Sequence, residues 1–153
     1  MSSPSFSPDL TQRPPRSPRV RLGGYVLLPR ILDKGRAALA GKLGEYRFTG
    51  GGMDRHFLDF VGIEYEALKT GLAKGGGDSN LLTWVNANAK HPREPWEVAA
   101  WSDFHEHRTP DSDAETPTDF AEALAKFSTT REDIHTWFDL LDLDDHCTFG
   151  GKA

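Results

Sequence analysis

The chain has 153 residues, one cysteine and a formal net charge of −5, with 37% hydrophobic and 27% charged side chains. That is the size of one ordinary domain, and nine Phe with four Trp exclude a largely disordered polymer. Cys147 can form no internal disulfide and supplies no C-x-x-C or Cys/His ribbon for structural zinc, which suits a reducing, cytoplasmic setting.

No run of about 18 apolar residues occurs, so no membrane partner is expected. The charge is uneven. Residues 1–42 carry eight Lys/Arg against two Asp/Glu, and 43–153 carry ten against twenty-one. The acidic balance disfavours nucleic acid and favours attraction between the two parts of one fold.

In chain order, residues 1–20 hold five prolines between Pro4 and Pro18 and read as an extended Pro/Arg-rich arm, either mobile or draped over a single helical domain of residues 21–153. Its prolines and serines offer little apolar area, so removing residues 1–12 is expected to leave stability unchanged. Leu28, Ile31, Leu32 and Leu39 recur at helical spacing, with Pro29 marking a kink or a start and Gly41 and Gly44 a stop.

Further helical segments follow over 53–61 with Phe57, Phe60 and Val61, over 65–72, and over 81–88 after Gly75 to Gly77. In PWEVAAWSDFHEH, Pro95 suits a first turn, and Trp96, Ala100 and Phe104 are the expected inner face. Residues 109–119 read as an acidic loop, with Thr116 and Pro117 opening a short helix through Phe127.

Thr129 and Glu132 form a capping-box pattern, followed by Ile134, Trp137, Phe138 and Leu141 at i, i+3, i+4, i+7 spacing. This predicts a last helix over 131–142, packed on the 28–40 helix. Only GEYRFT hints at a strand. The fold class is therefore all-α, an irregular bundle of about six short helices.

Four charged residues crowd the first helix: Arg30, Asp33, Lys34 and Arg36. They are the candidate ligand-binding residues. The spacing allows Arg30 to pair with Asp33, and Arg30, Lys34 or Arg36 with the acidic end at Asp139, Asp142, Asp144 and Asp145. Asp33 flanked by cations suits an ion pair better than an acid–base catalyst.

The rival chemistries are thinner. Gly35 and Gly41 lie one residue too far apart for a phosphate loop, and Asp78 after the glycine triplet opposes a phosphate. In DFHEH, Asp103 and His107 share a helical face but make only two ligands, and the 139–147 end lacks the pattern of a calcium loop. Cys147 beside His146 is adjacency, not a catalytic dyad. The four Trp read as core. No cofactor or metal is implied.

The PDLT and PPRSPR of the arm, L-P-R-x-x-D-K-x-R-A over 28–37, G-E-Y over 44–46 and TWFDLLDLD over 136–144 resemble the bacterial family catalogued as domain of unknown function 5069. The resemblance implies a small, mostly helical cytoplasmic protein and supplies no catalytic residue. The expected function is a binding protein whose basic face, from Arg16 to Arg36, takes an anionic small molecule or an acidic protein surface. An enzyme using Asp33 on a carboxylate- or phosphate-bearing substrate, and a purely structural charge cluster, are the alternatives.

Overall fold

Pro29 starts the first helix rather than kinking it. The computed structural model describes residues 7–110 and 116–153, and helix α1 runs over Leu28–Leu39 with Pro29 in its first turn, where an amide hydrogen would have no partner in any case. Before it, Leu27 is buried with a left-handed φ of 71°, a conformation that costs a side chain about 1–2 kcal/mol. The Leu27 amide donates to the carbonyl of Pro18 at 2.9 Å, so the arm sets the angle at which α1 begins.

The remaining helices are α2 (Met53–Val61), α3 (Tyr65–Ala73), α4 (Asp78–Asn88), α5 (Pro95–His107), α6 (Thr116–Ala125) and α7 (Trp137–Thr148). Among the described residues there is no strand, only an isolated bridge between Leu22 and Tyr25, and GEYRFT forms none. The all-α class holds.

α1 packs on α3, α3 on α4, and α7 on both α5 and α6. A glycine allows the first contact: a Cβ at Gly35 would lie 2.3 Å from Leu72 Cδ1 and 3.0 Å from Phe48 Cζ. The main core joins Leu28, Ile31 and Leu32 to Phe57, Leu68, Leu81, Val98 and Phe138. A smaller core joins Phe120, Ile134, Leu140 and Leu143.

Three expectations are corrected. The last helix begins at 137, not 131. Thr136 Oγ1 accepts the Asp139 amide, while Asp139 Oδ2 accepts the amides of His135 and Thr136, so this pair caps the helix and the Thr129/Glu132 pattern does not. Ile134 is buried from the non-helical segment before it, and Trp137 packs edge-on against Phe120 in the smaller core.

On α5 the expected inner face points outward, with Trp96 71% and Phe104 60% exposed. The buried face is Val98, Ser102 and His105. Ser102 goes inside because its hydroxyl donates to the Gly24 carbonyl at 2.6 Å and accepts the Val26 amide at 3.2 Å.

The third correction concerns the arm. Leu10 is 1% exposed and its amide donates to the Lys42 carbonyl at 2.9 Å. Gly44 has a φ of 62°, and a Cβ there would lie 2.8 Å from the Leu10 carbonyl oxygen, so the loop that follows α1 is shaped to receive the arm. Pro8, Pro15 and Pro18 are also buried. Phe6 and residues 111–115 of the expected acidic loop lie outside the described residues; 116–119 belong to α6.

Docking of the arm predicts that Leu10→Ala lowers the unfolding free energy by about 2–5 kcal/mol. Urea denaturation at neutral pH measures it, and an unchanged midpoint would contradict the docked arm.

Candidate functional site

Each charged residue singled out on α1 has a partner. Arg30 and Asp145 form a buried two-pronged pair, Nη1 to Oδ2 at 2.7 Å and Nη2 to Oδ1 at 3.1 Å; Tyr46 also donates its hydroxyl to Asp145 Oδ1 at 2.9 Å. Burial first, then the Asp145 charge, raises Tyr46 above the ordinary phenol range. Lys34 pairs with Asp54 at 2.8 Å and Arg36 with Asp78 at 2.8 Å. The expected Arg30–Asp33 pair is not made: Asp33 turns to the arm.

There Arg16 wraps Asp33. Its backbone amide and Nε donate to Asp33 Oδ2 at 2.9 and 3.0 Å, and Nη2 donates to Oδ1 at 2.9 Å. The same guanidinium reaches Asp78 through Nη1 at 2.7 Å. Arg16, Asp33, Asp78 and Arg36 thus form a chain of charges linking the arm, α1 and the start of α4. The hydrogen bond from Arg16, with Arg36 assisting, holds Asp78 down to about 2, and the same bond raises Arg16.

This chain forms one side of a cavity of about 700 Å³ lined by Pro8, Arg13, Pro14, Arg16, Asp33, Arg36 and residues 77–80. Two features of its wall carry donor capacity. Arg36 is 4% exposed, and of its five N–H donors one meets Asp78 and one the Gly76 carbonyl at 3.4 Å; the others meet no acceptor among the described residues. The N-cap of α4 is Gly77, whose own amide donates to Asn80 Oδ1 at 3.0 Å but which has no side chain to accept the first-turn amides. α7, by contrast, is capped by Thr136.

The four candidate residues are divided. Asp33 and Arg36 line this cavity, whereas Arg30 and Lys34 line a second of about 390 Å³ with Tyr46, Arg47, Asp54 and Asp144. Sequence reasoning placed Arg16 at the start of the basic face but missed Arg13, Ser79 and Asn80. The glycine triplet before Asp78 was the available signal, and the charge of Asp78 argued against it; with Arg16 and Arg36 on that carboxylate, the objection is largely neutralised.

The acidic end of α7 also meets cations. Arg19 of the arm pairs with Asp139 and with Asp142, and Arg21 reaches Asp103 and Glu106 of α5, each at 2.8 Å. Asp103 is therefore engaged, and His107 Nδ1 lies 2.9 Å from the backbone carbonyl of Asp103. Among the described residues no three His, Cys, Asp or Glu gather to hold a metal, and no helix is long and apolar enough to cross a membrane.

A family model spans this architecture from the arm to α7, over residues 12–147. The chain belongs to the family described as Domain of unknown function (DUF5069). No curated protein matches it. Membership in DUF5069 covers the Arg16 network, α1 and α4 alike, and names no activity for them.

One buried group makes the stability of this scaffold depend on pH. His105 packs on Trp101 at 4.5 Å and on His56 at 4.9 Å between ring centroids. Burial, with the charges of His56 and Arg108, lowers it from its ordinary value of 6.5 to about 4. The unfolded chain then binds more protons between those values, so stability is lost as pH falls from about 6.5 towards 4. Urea titrations at pH 7 and pH 5 should show this loss, and His105→Phe should reduce it; an equal loss in the variant would assign the acid sensitivity elsewhere.

Proposed function

We propose that the protein is a non-catalytic binding protein that takes a small anionic molecule into the cavity between the arm and the start of α4. The observation that carries this reading is Arg36: a buried guanidinium on a cavity wall, with donors left over after its ion pair, beside a helix start whose N-cap, Gly77, has no side chain to accept the first-turn amides. Leftover donors of this kind complement a carboxylate or phosphate oxygen. A concave site of this volume favours a small molecule over an acidic protein surface. The lone half-buried cysteine is in keeping with action in the cytoplasm.

The enzymatic alternative has less support. Both oxygens of Asp33 are engaged by Arg16, so neither is placed to take a substrate proton. Most of the α1 charge serves structure, through Arg30 with Asp145 and Lys34 with Asp54. The anion reading rests on what Arg36 and the α4 start retain.

Ser79→Asp is a suitable test because an acidic residue in the first turn of a helix is favourable by about 0.3–1 kcal/mol while it repels a bound anion. Phosphate or acetate, titrated calorimetrically at constant ionic strength, should bind the wild type and bind the variant at least tenfold more weakly, with the variant melting no lower. Absence of binding by the wild type, or equal binding by both, would overturn the proposal.

A further inference from the structure

The anion cavity is assembled from separate pieces of chain. Pro8, Arg13, Pro14 and Arg16 come from the arm, Asp33 and Arg36 from α1, and residues 77–80 from the start of α4. On the helical side alone the charge is wrong for an anion, because Asp33 and Asp78 stand there against Arg36. The arm corrects it. Among the described residues the buried Asp33 carboxylate accepts only from Arg16, and Asp78 accepts from Arg16 as well as from Arg36. Arg13 lies by Asp9, so the compensation of these two carboxylates falls to Arg16.

Loss of Arg16 would therefore do more than open a wall. It would leave two carboxylates beside one guanidinium, and a carboxylate close to an anion repels it, the more strongly where water is excluded. With Arg16 in place both carboxylates are compensated, and the unused donors of Arg36 are left for a ligand. The arm that carries Arg16 has no helix or strand of its own. It is held by Leu10, by its prolines and by ion pairs that water reaches, the Arg16 side chain being 34% exposed. Such a segment opens at a lower free energy than the helices of the main core.

We infer that the arm is a strap that switches the anion site on: the site is complete only while the arm is docked, and a bound anion in turn holds the arm down. This deepens the proposed anion-binding function and rests on it. Linkage makes the two effects reciprocal. A ligand that binds only the docked form lowers the population of the open form by roughly tenfold at about ten times its Kd.

Amide hydrogen exchange of the full chain at constant ionic strength tests the strap. The reporters are the Leu10 amide, which donates to the Lys42 carbonyl, and the Arg16 amide, which donates to Asp33. The probe is whichever of phosphate and acetate binds the wild type more tightly, supplied at about ten times its Kd. Both amides should then exchange roughly tenfold more slowly, and at the same anion concentration they should not slow in Ser79→Asp. In calorimetric titrations Arg16→Gln should bind the anion at least tenfold more weakly than the wild type, and Arg16→Lys, which keeps a positive charge, should lose less. An anion that binds the wild type in preference to Ser79→Asp yet leaves arm exchange unchanged, or binds Arg16→Gln as tightly as the wild type, would overturn the strap and leave the anion site standing. Equal slowing in Ser79→Asp, or equal loss in Arg16→Lys and Arg16→Gln, would overturn the strap as well. Failure of both anions to bind the wild type would overturn the anion site and the strap together.

Discussion

Arg16 holds two carboxylates from segments far apart in the chain, Asp33 on α1 and Asp78 at the start of α4, and the arrangement of the arm depends on that grip. The next arginines continue it. Arg19 takes Asp139 and Asp142 on α7, and Arg21 takes Asp103 and Glu106 on α5. An arm rich in proline cannot fold back through its own helix or sheet bonds. Its cations reach acidic helices while Leu10 and the prolines bury between them, so the basic segment and the acidic remainder attract each other within one fold.

These pairs differ in energetic weight. Those of Arg19 and Arg21 are solvent-accessible and belong to a class worth about 0–1 kcal/mol each. Arg30 and Asp145 are both buried, and removing either would strand the other charge at a cost of about 3–5 kcal/mol. Apolar burial supplies the driving force; the pairs determine where the arm lies and how α1, α4 and α7 meet. The cavity is a by-product of that placement, since its walls are the arm, one face of α1 and the start of α4.

Segments bounded by glycine and proline were legible because periodicity and punctuation agreed. The helices over 53–61 and from 65 are of this kind. α5 was not, since both of its faces carry aromatic residues and the buried one is chosen by Ser102, a polar residue whose backbone partners lie more than seventy positions away. The start of α7 was misplaced because two Thr-x-x-acid patterns compete. Asp139 wins by accepting two further amides just before the helix, and the Trp137 amide is held by the Arg108 carbonyl.

The candidate site was half legible. Charge counting foresaw that α1 cations would meet carboxylates, one of them at the acidic end, but a pairing such as Arg30 with Asp145 spans 115 positions and leaves no local pattern. The partners of Arg16, which begins the basic face, were hidden for the same reason. The central claim, that the α1 charges are chiefly structural, is tested most directly by a double-mutant cycle of Arg30→Ala and Asp145→Ala read by urea denaturation. The account predicts that each single substitution costs about 3–5 kcal/mol and that the double falls well short of their sum. Single variants as stable as the wild type, or strictly additive losses, would contradict it.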